Sequence, residues 1–329
     1  MPSFRACRVF SEAGSAAARV VSMDLDELSP GEVVVRVAFS SLNYKDARAV
    51  TGRGRPIMRR FPLNAGIDLA GVVERSSDAR FSPGDEVIAN GMGLGESHDG
   101  GLAGYARVPA DWLMPLPAGL TLRDAMALGT AGYTAALCVH RMEVNGQTRA
   151  MGPIVVTGAT GGVGSIAVRI LSARGYPVIA VSGRPEHHAW LRELGATEAR
   201  TVEQLELGGK PLDTTRFGGA IDNVGGSLLA RLLPHVAEWG NVASVGLAGG
   251  AEYETTVYPF ILRGVSLLGA SSANSPMWLR REIWRRLGDD LRVDDVERCV
   301  TRAIGLDQVV PTAVALLDRQ LVGRAVVAL

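Results

Sequence analysis

A glycine-rich turn between an apolar strand and an apolar helix is the clearest sign of chemistry in this sequence. The stretch VVTGATGGVGSIAV runs from Val155 to Val168 and carries Gly158, Gly161, Gly162 and Gly164. Glycine permits a tight turn and close approach of the backbone to a pyrophosphate, and the first N–H groups of a helix attract negative charge. Because a strand precedes the glycines and a helix follows them, the pattern predicts a dinucleotide site rather than a merely structural turn.

The end of the next strand indicates which dinucleotide this turn holds. An acidic residue there would bind the ribose 2′-hydroxyl and repel a 2′-phosphate. The sequence instead has Ser182, Gly183 and Arg184 after the apolar run VIAV. An arginine can donate two parallel hydrogen bonds to a phosphate, so these three residues favour NADPH over NADH. The alternative is that Arg184 only caps a surface loop.

Two different patterns surround these motifs and predict two domains. From about residue 150 onwards, strands and helices alternate, which predicts a doubly wound sheet of parallel strands with crossover helices on both faces. Before residue 117, short strands such as EVVVRVAFSSL and GIDLAGVVER are separated by Gly and Pro, which predicts a barrel-like β domain. The helix pattern TLRDAMALGTAGYTAALCVHRM marks the boundary, with Thr121 and Asp124 as a predicted capping box.

Three later segments complete the expected elements. The run PFILRGVSLLG is predicted as a strand, and MWLRREIWRRLGDDL as a basic amphipathic helix whose charges face solvent. The tail beyond residue 291 is predicted to form the helix PTAVALLDRQL and the strand GRAVVAL. Periodicity alone does not decide whether this tail extends the second domain or returns to the first.

Composition narrows the class of protein. The 329 residues suffice for two domains, and 34 basic residues against 34 acidic ones leave no net charge to attract nucleic acid or a membrane surface. No apolar run reaches the roughly 18 residues of a membrane span, and the first residues lack the core of a signal peptide. Cys7, Cys138 and Cys299 are too scattered for a disulfide framework. We therefore expect a cytoplasmic protein without nucleic-acid or membrane partners.

Read in order, seven motifs resemble those of the medium-chain dehydrogenase/reductase superfamily. They are SSLNYKDARAVTGRG, GIDLAG, GTAGYTAALC, VTGATGGVG, AVSGR, GLAGG and PFILRGVSLLG. The closer resemblance is to its zinc-independent branch of acrylyl-CoA reductases and quinone oxidoreductases. It implies a GroES-like β-barrel catalytic domain at residues 1–122, an NADPH-binding Rossmann domain at 123–290 and a segment at 291–329 that returns to the catalytic domain. It also implies a homodimer.

The resemblance further implies which residues form an active site in a cleft between the domains. The implied catalytic residues are Asn43, Tyr44, Asp46, Asp68 and Arg324, and Tyr44 would also touch the nicotinamide. The implied cofactor residues are Thr160, Gly161, Gly162 and Val163 at the phosphate turn, Ser182, Gly183 and Arg184 at the 2′-phosphate, and Leu247, Ile261 and Ser272 around the nicotinamide. Ala65 departs from the proline that is usual before GID. The stretch after LGA is also unlike the family's, which leaves Arg200 as a candidate extra basic group.

The expected reaction needs no metal ion, and we expect no metal site, because no Cys or His falls in SSLNYKDA, where a first zinc ligand would stand. NADPH would carry the hydride. Asn43 and Tyr44 would stabilise the negative charge that develops on the substrate, with Tyr44 as the candidate proton donor. Asp46, Asp68 and Arg324 have an alternative interpretation as a structural cluster that balances buried charge.

The histidines have alternative interpretations that involve no metal ion or substrate. His187 and His188 are adjacent on a predicted helix and point in different directions, which favours a surface role over a metal pair. His98 lies in the glycine-rich loop GMGLGESHDGG, either over the cleft or in solvent.

Two enzymatic functions fit the sequence, and a third class is the alternative to both. The first is NADPH-dependent reduction of a short α,β-unsaturated acyl-CoA, most simply acrylyl-CoA to propionyl-CoA. The second is NADPH-dependent reduction of a quinone or another conjugated carbonyl. The third is a non-catalytic NADPH-binding protein. The preference for the first rests on the family resemblance.

Overall fold

The computed structural model describes residues 3–12 and 14–329. Its sixteen strands, counted within those residues, are β1 Phe4–Glu12, β2 Ser15–Met23, β3 Val33–Leu42, β4 Leu63–Asn64, β5 Asp68–Ser76, β6 Glu86–Asn90, β7 Tyr105–Val108, β8 Met114–Pro115, β9 Ile154–Thr157, β10 Val178–Val181, β11 Glu198–Arg200, β12 Phe217–Asp222, β13 Val236–Ser244, β14 Ser266–Gly269, β15 Val300–Ile304 and β16 Arg324–Ala328. The α-helices are α1 Tyr44–Thr51, α2 Leu122–Val144, α3 Gly162–Ala173, α4 His188–Glu193, α5 Gly226–Leu232, α6 Tyr258–Arg263, α7 Met277–Gly288 and α8 Val309–Leu317.

These elements form two units. Unit 1 comprises Met1–Thr130, Ala273–Gly288 and Val296–Leu329, and unit 2 comprises Ala131–Ser272 and Asp289–Asp295. The division falls at residue 130, whereas the sequence places a boundary at residue 122. The reason is that α2 is interrupted at Gly129, whose φ of 50° and ψ of −153° are not helical. The predicted capping box at the start of α2 is confirmed, because the Thr121 and Asp124 backbone N–H groups each donate to the other residue's side chain.

Unit 1 is built on two mainly antiparallel sheets. One has the strand order β2-β1-β4, and the other has the order β15-β16-β3-β5-β6-β8, with β7 also pairing with β3. Alternate side chains of β3, Val33, Val35 and Val37, enter a core that includes Leu69 and Val87. Strand β16 pairs with β3, so the C-terminal strand lies in unit 1. Strand β15, which the sequence did not predict, pairs in parallel with β16.

Unit 2 contains a six-stranded parallel sheet of order β11-β10-β9-β12-β13-β14. This is the 3-2-1-4-5-6 order of dinucleotide-binding folds, so the predicted doubly wound sheet is confirmed. Val155, Ile179 and Val242 belong to its core. The strand order reverses between β9 and β12, and the crevice outside the C-terminal ends of these two strands is where such sheets bind ligands.

The segment predicted as the strand PFILRGVSLLG is half helix. Residues up to Arg263 form α6, and only the second half forms β14. A proline lies in the first turn of α6, where its fixed φ suits a helix start, and Gly264 ends the helix in the left-handed region at φ 63°.

Helix α7 is present, but the expectation that its charges all face solvent is wrong. Arg280 is 0% exposed and Arg286 is also buried. Trp284 is buried on the same helix, and its indole N–H donates to Asn90 Oδ1 at the end of β6, 3.0 Å away. This packing explains why residues 273–288 belong to unit 1, whereas the sequence assigns them to the Rossmann domain.

The three cysteines are buried free thiols. Burial raises the pKa of Cys7 and of Cys138 to about 12, so both remain protonated and unreactive in the folded protein. Among the described helices, none is both long and apolar enough to traverse a bilayer.

Candidate cofactor site and active site

The glycine-rich turn follows the C-terminal end of β9, one of the two strands at the switch point. Gly158 has a φ of 58°, which favours glycine. Gly164 packs so closely that a Cβ there would lie 2.4 Å from the Gly158 carbonyl oxygen. Helix α3 begins at Gly162, with Gly161 as its N-cap, and no side chain in the described chain caps it. The first N–H groups of this helix therefore remain available to an anion.

Strand β10 ends beside this turn and continues into Ser182, Gly183 and Arg184. The Arg184 guanidinium donates from Nη2 to Thr160 Oγ1 at 2.7 Å, and the Thr160 and Ser182 hydroxyl oxygens are 3.3 Å apart. A Cβ on Gly183 would meet nothing within 4 Å, so open space adjoins these groups. Burial lowers the pKa of Arg184, but a guanidinium remains charged in proteins. Two hydroxyls and a guanidinium beside open space fit a 2′-phosphate.

Arg200, the candidate extra basic group, has another partner. Its backbone carbonyl accepts a hydrogen bond from the Ser182 N–H at 3.0 Å, but its guanidinium donates from Nε to Glu198 Oε2 at 2.6 Å. A carboxylate at that distance would repel a phosphate, so we assign Arg200 no cofactor role. The neighbouring histidines are engaged separately. His188 Nε2 lies 3.3 Å from the Ser182 carbonyl oxygen, and His187 faces Glu186.

Asp222, at the C-terminal end of β12, belongs to the crevice but was missed by sequence reasoning. Its buried carboxylate accepts hydrogen bonds from Thr157 Oγ1 at 2.6 Å and from the Gly225 N–H at 2.8 Å. The Asn223 side-chain amide donates to the Thr157 carbonyl oxygen at 2.8 Å. Burial raises the pKa of Asp222. These bonds join the ends of β9 and β12, and the available signal was the motif DNVGG after an apolar strand.

The three residues predicted around the nicotinamide do not lie at the same edge of the parallel sheet. Leu247 follows β13 and Ser272 follows β14, so both lie beyond the same C-terminal edge of the sheet as the phosphate turn. Ile261 lies on α6, which packs near the beginning of β13. Arg263 of the same helix donates to the carbonyl oxygen of Pro234, just before that strand, at 2.7 Å. Parallel strands begin at the opposite edge, so the structure does not bring Ile261 to the edge where Leu247 and Ser272 lie.

The five residues predicted to be catalytic lie in unit 1, and four of them meet in one buried cluster. The Asn43 side-chain amide donates to Asp68 Oδ2 at 2.7 Å and to Asp46 Oδ2 at 3.1 Å. Asn43 Oδ1 accepts a hydrogen bond from Arg324 Nη1 at 3.1 Å. All four side chains are buried. Asn43 therefore links both carboxylates to the arginine, and we name these four residues the charge cluster.

Tyr44 is the exception, because its side chain is 61% exposed. It is the first residue of α1, and Asn43 is the N-cap of that helix. In the part of the chain that the structure describes, the Tyr44 hydroxyl has no hydrogen-bond partner. The next residue, Lys45, forms an ion pair with Glu96 of the glycine-rich loop. The hydroxyl is thus open to a ligand while the start of the helix is held.

Gly129 and Thr130 lie against the charge cluster, and sequence reasoning missed both. Thr130 donates to Asp68 twice, from its backbone N–H at 2.9 Å and from its hydroxyl at 2.6 Å. This contact requires the break in α2 at Gly129. A Cβ at that position would lie 2.6 Å from Asp68 Oδ2 and 2.8 Å from Arg324 Nη2. The only signal in the sequence was a glycine inside an otherwise helical pattern.

Asp46 is the member of the charge cluster with the most perturbed carboxyl group. Burial and the nearby negative charge of Asp68 raise the pKa of Asp46 from 3.8 to about 7, against the opposing effect of hydrogen bonds from Asn43 and Ile67. Below about pH 7, the folded protein therefore keeps a proton that the unfolded chain releases near pH 4.

This shift predicts that stability falls as the pH rises from about 4 to about 7, because the folded state binds more protons than the unfolded state in that window. The substitution Asp46→Asn is expected to remove that contribution, a change of about 4 kcal/mol in total for a pKa difference of about three units. Chemical denaturation at several pH values would measure it. The same dependence of unfolding free energy on pH in both proteins would mean that Asp46 is ionised throughout.

His98 is not in solvent. It is buried within unit 1, with Nδ1 3.1 Å from the Asp99 carbonyl oxygen and Nε2 2.9 Å from that of Pro30. Its ring packs edge-on against Trp112. Ala65, which stands where a proline is usual, donates its N–H to the Cys7 carbonyl oxygen at 3.0 Å, a bond that proline cannot form. The turn before Asp68 is held in this way.

A β unit of this kind combined with a Rossmann sheet is the architecture of the medium-chain, nicotinamide-dependent oxidoreductases. Two family models match the chain. The family described as alcohol dehydrogenase GroES-like domain matches residues 29–118, and the family described as zinc-binding dehydrogenase matches residues 162–288. In the described residues, no group of three or more His, Cys, Asp or Glu side chains is placed to hold a metal ion.

Relatives and solved structures agree with these matches. The chain is 46% identical over 327 residues to the putative quinone oxidoreductase YhfP of Bacillus subtilis, covering 99% of both chains. It is 45% identical to the acrylyl-CoA reductase AcuI of Ruegeria pomeroyi, covering 96% of both. The yhdH oxidoreductase of Salmonella enterica, crystallised with NADP, has a TM-score of 0.94 at 45% identity and 99% coverage of both chains. B. subtilis yhfP, crystallised with NAD, has a TM-score of 0.96 at 44% identity and full coverage of both.

The chain belongs to the medium-chain dehydrogenase/reductase superfamily. It is an oxidoreductase of that superfamily, as the sequence motifs predict.

Proposed function

We propose that this protein is an NADPH-dependent reductase that adds hydride to the β-carbon of a short α,β-unsaturated acyl-CoA, most simply acrylyl-CoA, to give propionyl-CoA. The observation that carries the choice of NADPH is the Arg184 guanidinium, held by Thr160 beside the phosphate turn, where an NADH site would have a carboxylate. The substrate class comes from the relatives, one named an acrylyl-CoA reductase and another a putative quinone oxidoreductase. Quinone reduction is therefore the second candidate function.

In the proposed cofactor site, the phosphate turn and the start of α3 bind the pyrophosphate. The turn after β10 binds the 2′-phosphate through the Ser182 hydroxyl and the Arg184 guanidinium, and Gly183 leaves room for it. Leu247 and Ser272, beyond the C-terminal edge of the sheet, border the nicotinamide. When bound, NADPH supplies the hydride for the reaction. Ile261 does not belong to the proposed site, because α6 packs near the beginning of β13, at the opposite edge of the sheet.

In the proposed active site, Tyr44 is the residue that contacts the substrate. Its exposed hydroxyl donates a hydrogen bond to the thioester oxygen as negative charge develops there, and it delivers a proton to the α-carbon directly or through water. Asn43 is a positioning residue, because both of its polar side-chain atoms bond within the charge cluster. Asp46, Asp68 and Arg324 support Asn43 by balancing each other's charge, which keeps the start of α1 and therefore Tyr44 in place.

The oxidation of NADPH in the presence of acrylyl-CoA, and separately of a small quinone, tests this proposal. We expect a higher kcat/KM with acrylyl-CoA. Rapid quinone reduction without thioester reduction would establish the second candidate function instead. NADPH binding without turnover of either substrate would favour the third class, a binding protein.

We further propose that the protein is a cytoplasmic homodimer. Strand β14 forms one edge of the sheet of unit 2, and six apolar side chains of this unit are each at least 60% exposed, among them Trp239, Val257, Ile261 and Leu262. Apolar groups in such number are typical of an interface, and a symmetric dimer is the commonest assembly. Three reduced, buried thiols agree with a reducing compartment.

Sedimentation velocity tests the dimer. We expect the wild type to sediment as a dimer and the double variant Ile261→Asp/Leu262→Asp to sediment as a monomer, because two carboxylates would be buried without partners. The affinity for NADPH is expected to stay unchanged, since neither residue belongs to the proposed cofactor site. A dimer that survives both substitutions would place the interface on another face.

A further inference from the structure

The loop after α1 concentrates positive charge in a chain that has none overall. Residues 53–60, RGRPIMRR, include Arg53, Arg55, Arg59 and Arg60, and all four are exposed. We name residues 53–60 the basic loop. Four arginines among eight residues create a local positive potential that attracts anions.

The basic loop is anchored at its start and in its middle. Arg48 of α1 donates from Nη2 to the Arg55 carbonyl oxygen at 2.5 Å and from Nε to the Arg53 carbonyl oxygen at 3.4 Å. Met58 is buried in the core cluster of unit 1. The backbone therefore has a defined course, and the arginine side chains project from an ordered segment.

Its end is anchored as well. Arg60 donates from Nε to the Ser97 carbonyl oxygen at 3.0 Å and from Nη2 to Ser29 Oγ at 2.5 Å. The Arg59 backbone N–H donates to the Glu96 carbonyl oxygen at 2.7 Å. The basic loop is thus attached to the same glycine-rich loop that Lys45 holds from the start of α1.

The charge of the basic loop is only partly compensated. Arg53 pairs with Asp318 at 2.8 Å, and the carboxylate of nearby Glu96 is paired with Lys45. Within residues 3–12 and 14–329, the guanidinium groups of Arg55 and Arg59 have no hydrogen-bond or ion-pair partner. Two exposed guanidinium groups on an ordered backbone are suited to binding phosphate.

We propose that the basic loop binds the phosphate groups of the coenzyme A part of the substrate; this inference rests on the proposed function. Helix α1 has Tyr44 at its start and leads into the basic loop after its end, and the loop then returns to Glu96, which pairs with Lys45 next to Tyr44. Eight helical residues span about 12 Å. In an acyl-CoA, the extended pantetheine arm separates the thioester from the phosphates by more than that. One substrate molecule can therefore place its thioester at Tyr44 and its phosphates at Arg55 and Arg59.

The test compares acrylyl-CoA with the acrylyl thioester of N-acetylcysteamine, which lacks the phosphates. In the double variant Arg55→Ala/Arg59→Ala, we expect the KM for acrylyl-CoA to rise about tenfold, with kcat and the KM for the short thioester unchanged. Raising the salt concentration is expected to weaken acrylyl-CoA binding more in the wild type than in this variant. Calorimetry with CoA alone gives a readout without turnover, and the same tenfold loss of affinity is expected.

The matched control is Arg36→Ala/Arg302→Ala, which removes two exposed positive charges from β3 and β15 of the same unit. It is expected to bind CoA like the wild type. The inference is overturned if both double variants bind CoA equally well, or if Arg55→Ala/Arg59→Ala weakens NADPH binding instead.

The two proposals fail in different ways. If the wild type reduces a quinone but neither thioester, the proposed function is wrong, and calorimetry with CoA still decides on the basic loop. If the wild type reduces both thioesters with equal KM, the proposed function is supported, but the basic loop does not bind the phosphate groups of coenzyme A. A wild type that neither binds CoA nor reduces a thioester overturns both.

Discussion

Replacing Asp68 with alanine is expected to lower the free energy of unfolding by about 3–5 kcal/mol. The buried carboxylate accepts hydrogen bonds from Ser41 Oγ at 2.5 Å, from Asn43 and from two groups of Thr130. It also compensates the positive charge of Arg324. Burial lowers the pKa of Arg324, and the negative charges of Asp68 and Asp46 oppose this effect. Alanine would leave the donors without an acceptor and the buried arginine with less compensation.

Guanidinium denaturation followed by far-UV circular dichroism would measure this loss, and unfolding in two transitions would assign it to a unit. The control is Asp111→Ala, which removes a 79% exposed carboxylate that pairs with Arg80 in the same unit. We expect this control to cost about 1 kcal/mol or less. Equal losses from the two substitutions would show that the charge cluster contributes no more than a surface ion pair.

The second large effect is expected at the cofactor. Replacing Arg184 with alanine should weaken NADPH binding by roughly 10- to 150-fold, because hydrogen bonds to a charged group contribute about 1.5–3 kcal/mol. The affinity for NADH should change little, since NADH has no 2′-phosphate. Fluorescence titration of both reduced cofactors gives the two dissociation constants. One relative with 44% identity was crystallised with NAD, and the titration therefore includes both reduced cofactors.

Two further variants sharpen the result. Arg184→Lys retains the charge but loses the planar pair of donors, so an intermediate affinity for NADPH is expected. Arg192→Ala removes an exposed arginine from α4 of the same unit and is expected to bind both cofactors like the wild type. If Arg184→Ala weakened NADPH and NADH binding equally, the arginine would act on the turn itself and not on the 2′-phosphate.

The parts that the sequence predicted well depend on short segments. The strand, glycine turn and helix around Gly158 occupy fourteen consecutive residues, Val155 to Val168, and the turn after β10 ends at Arg184, 16 residues later. Local patterns and glycine conformations suffice to place such elements. The capping box of Thr121 and Asp124 was predictable for the same reason.

The parts that were missed depend on residues far apart in the chain. Thr130 meets Asp68 across 62 residues, and Trp284 meets Asn90 across 194. Hydrophobic periodicity does not predict such contacts. The basic amphipathic helix α7 was therefore predicted to expose its charges, although Arg280 is buried. In PFILRGVSLLG, the apolar run fits a strand or a buried helix equally well by pattern, and only the proline and glycine distinguish its two halves.

The pairing of β16 with β3 affects the order in which the protein is made. Arg324, which joins the charge cluster, leaves the ribosome 281 residues after Asn43, its partner in that cluster. The six strands of unit 2 emerge before then, between residues 154 and 269, so that sheet can assemble while the tail is still being synthesised. Strand β3 can pair with β16, and Asp46 and Asp68 can be joined by Arg324, only after the last residues of the chain have been synthesised. The charge cluster of unit 1 therefore closes only when synthesis of the chain is almost complete.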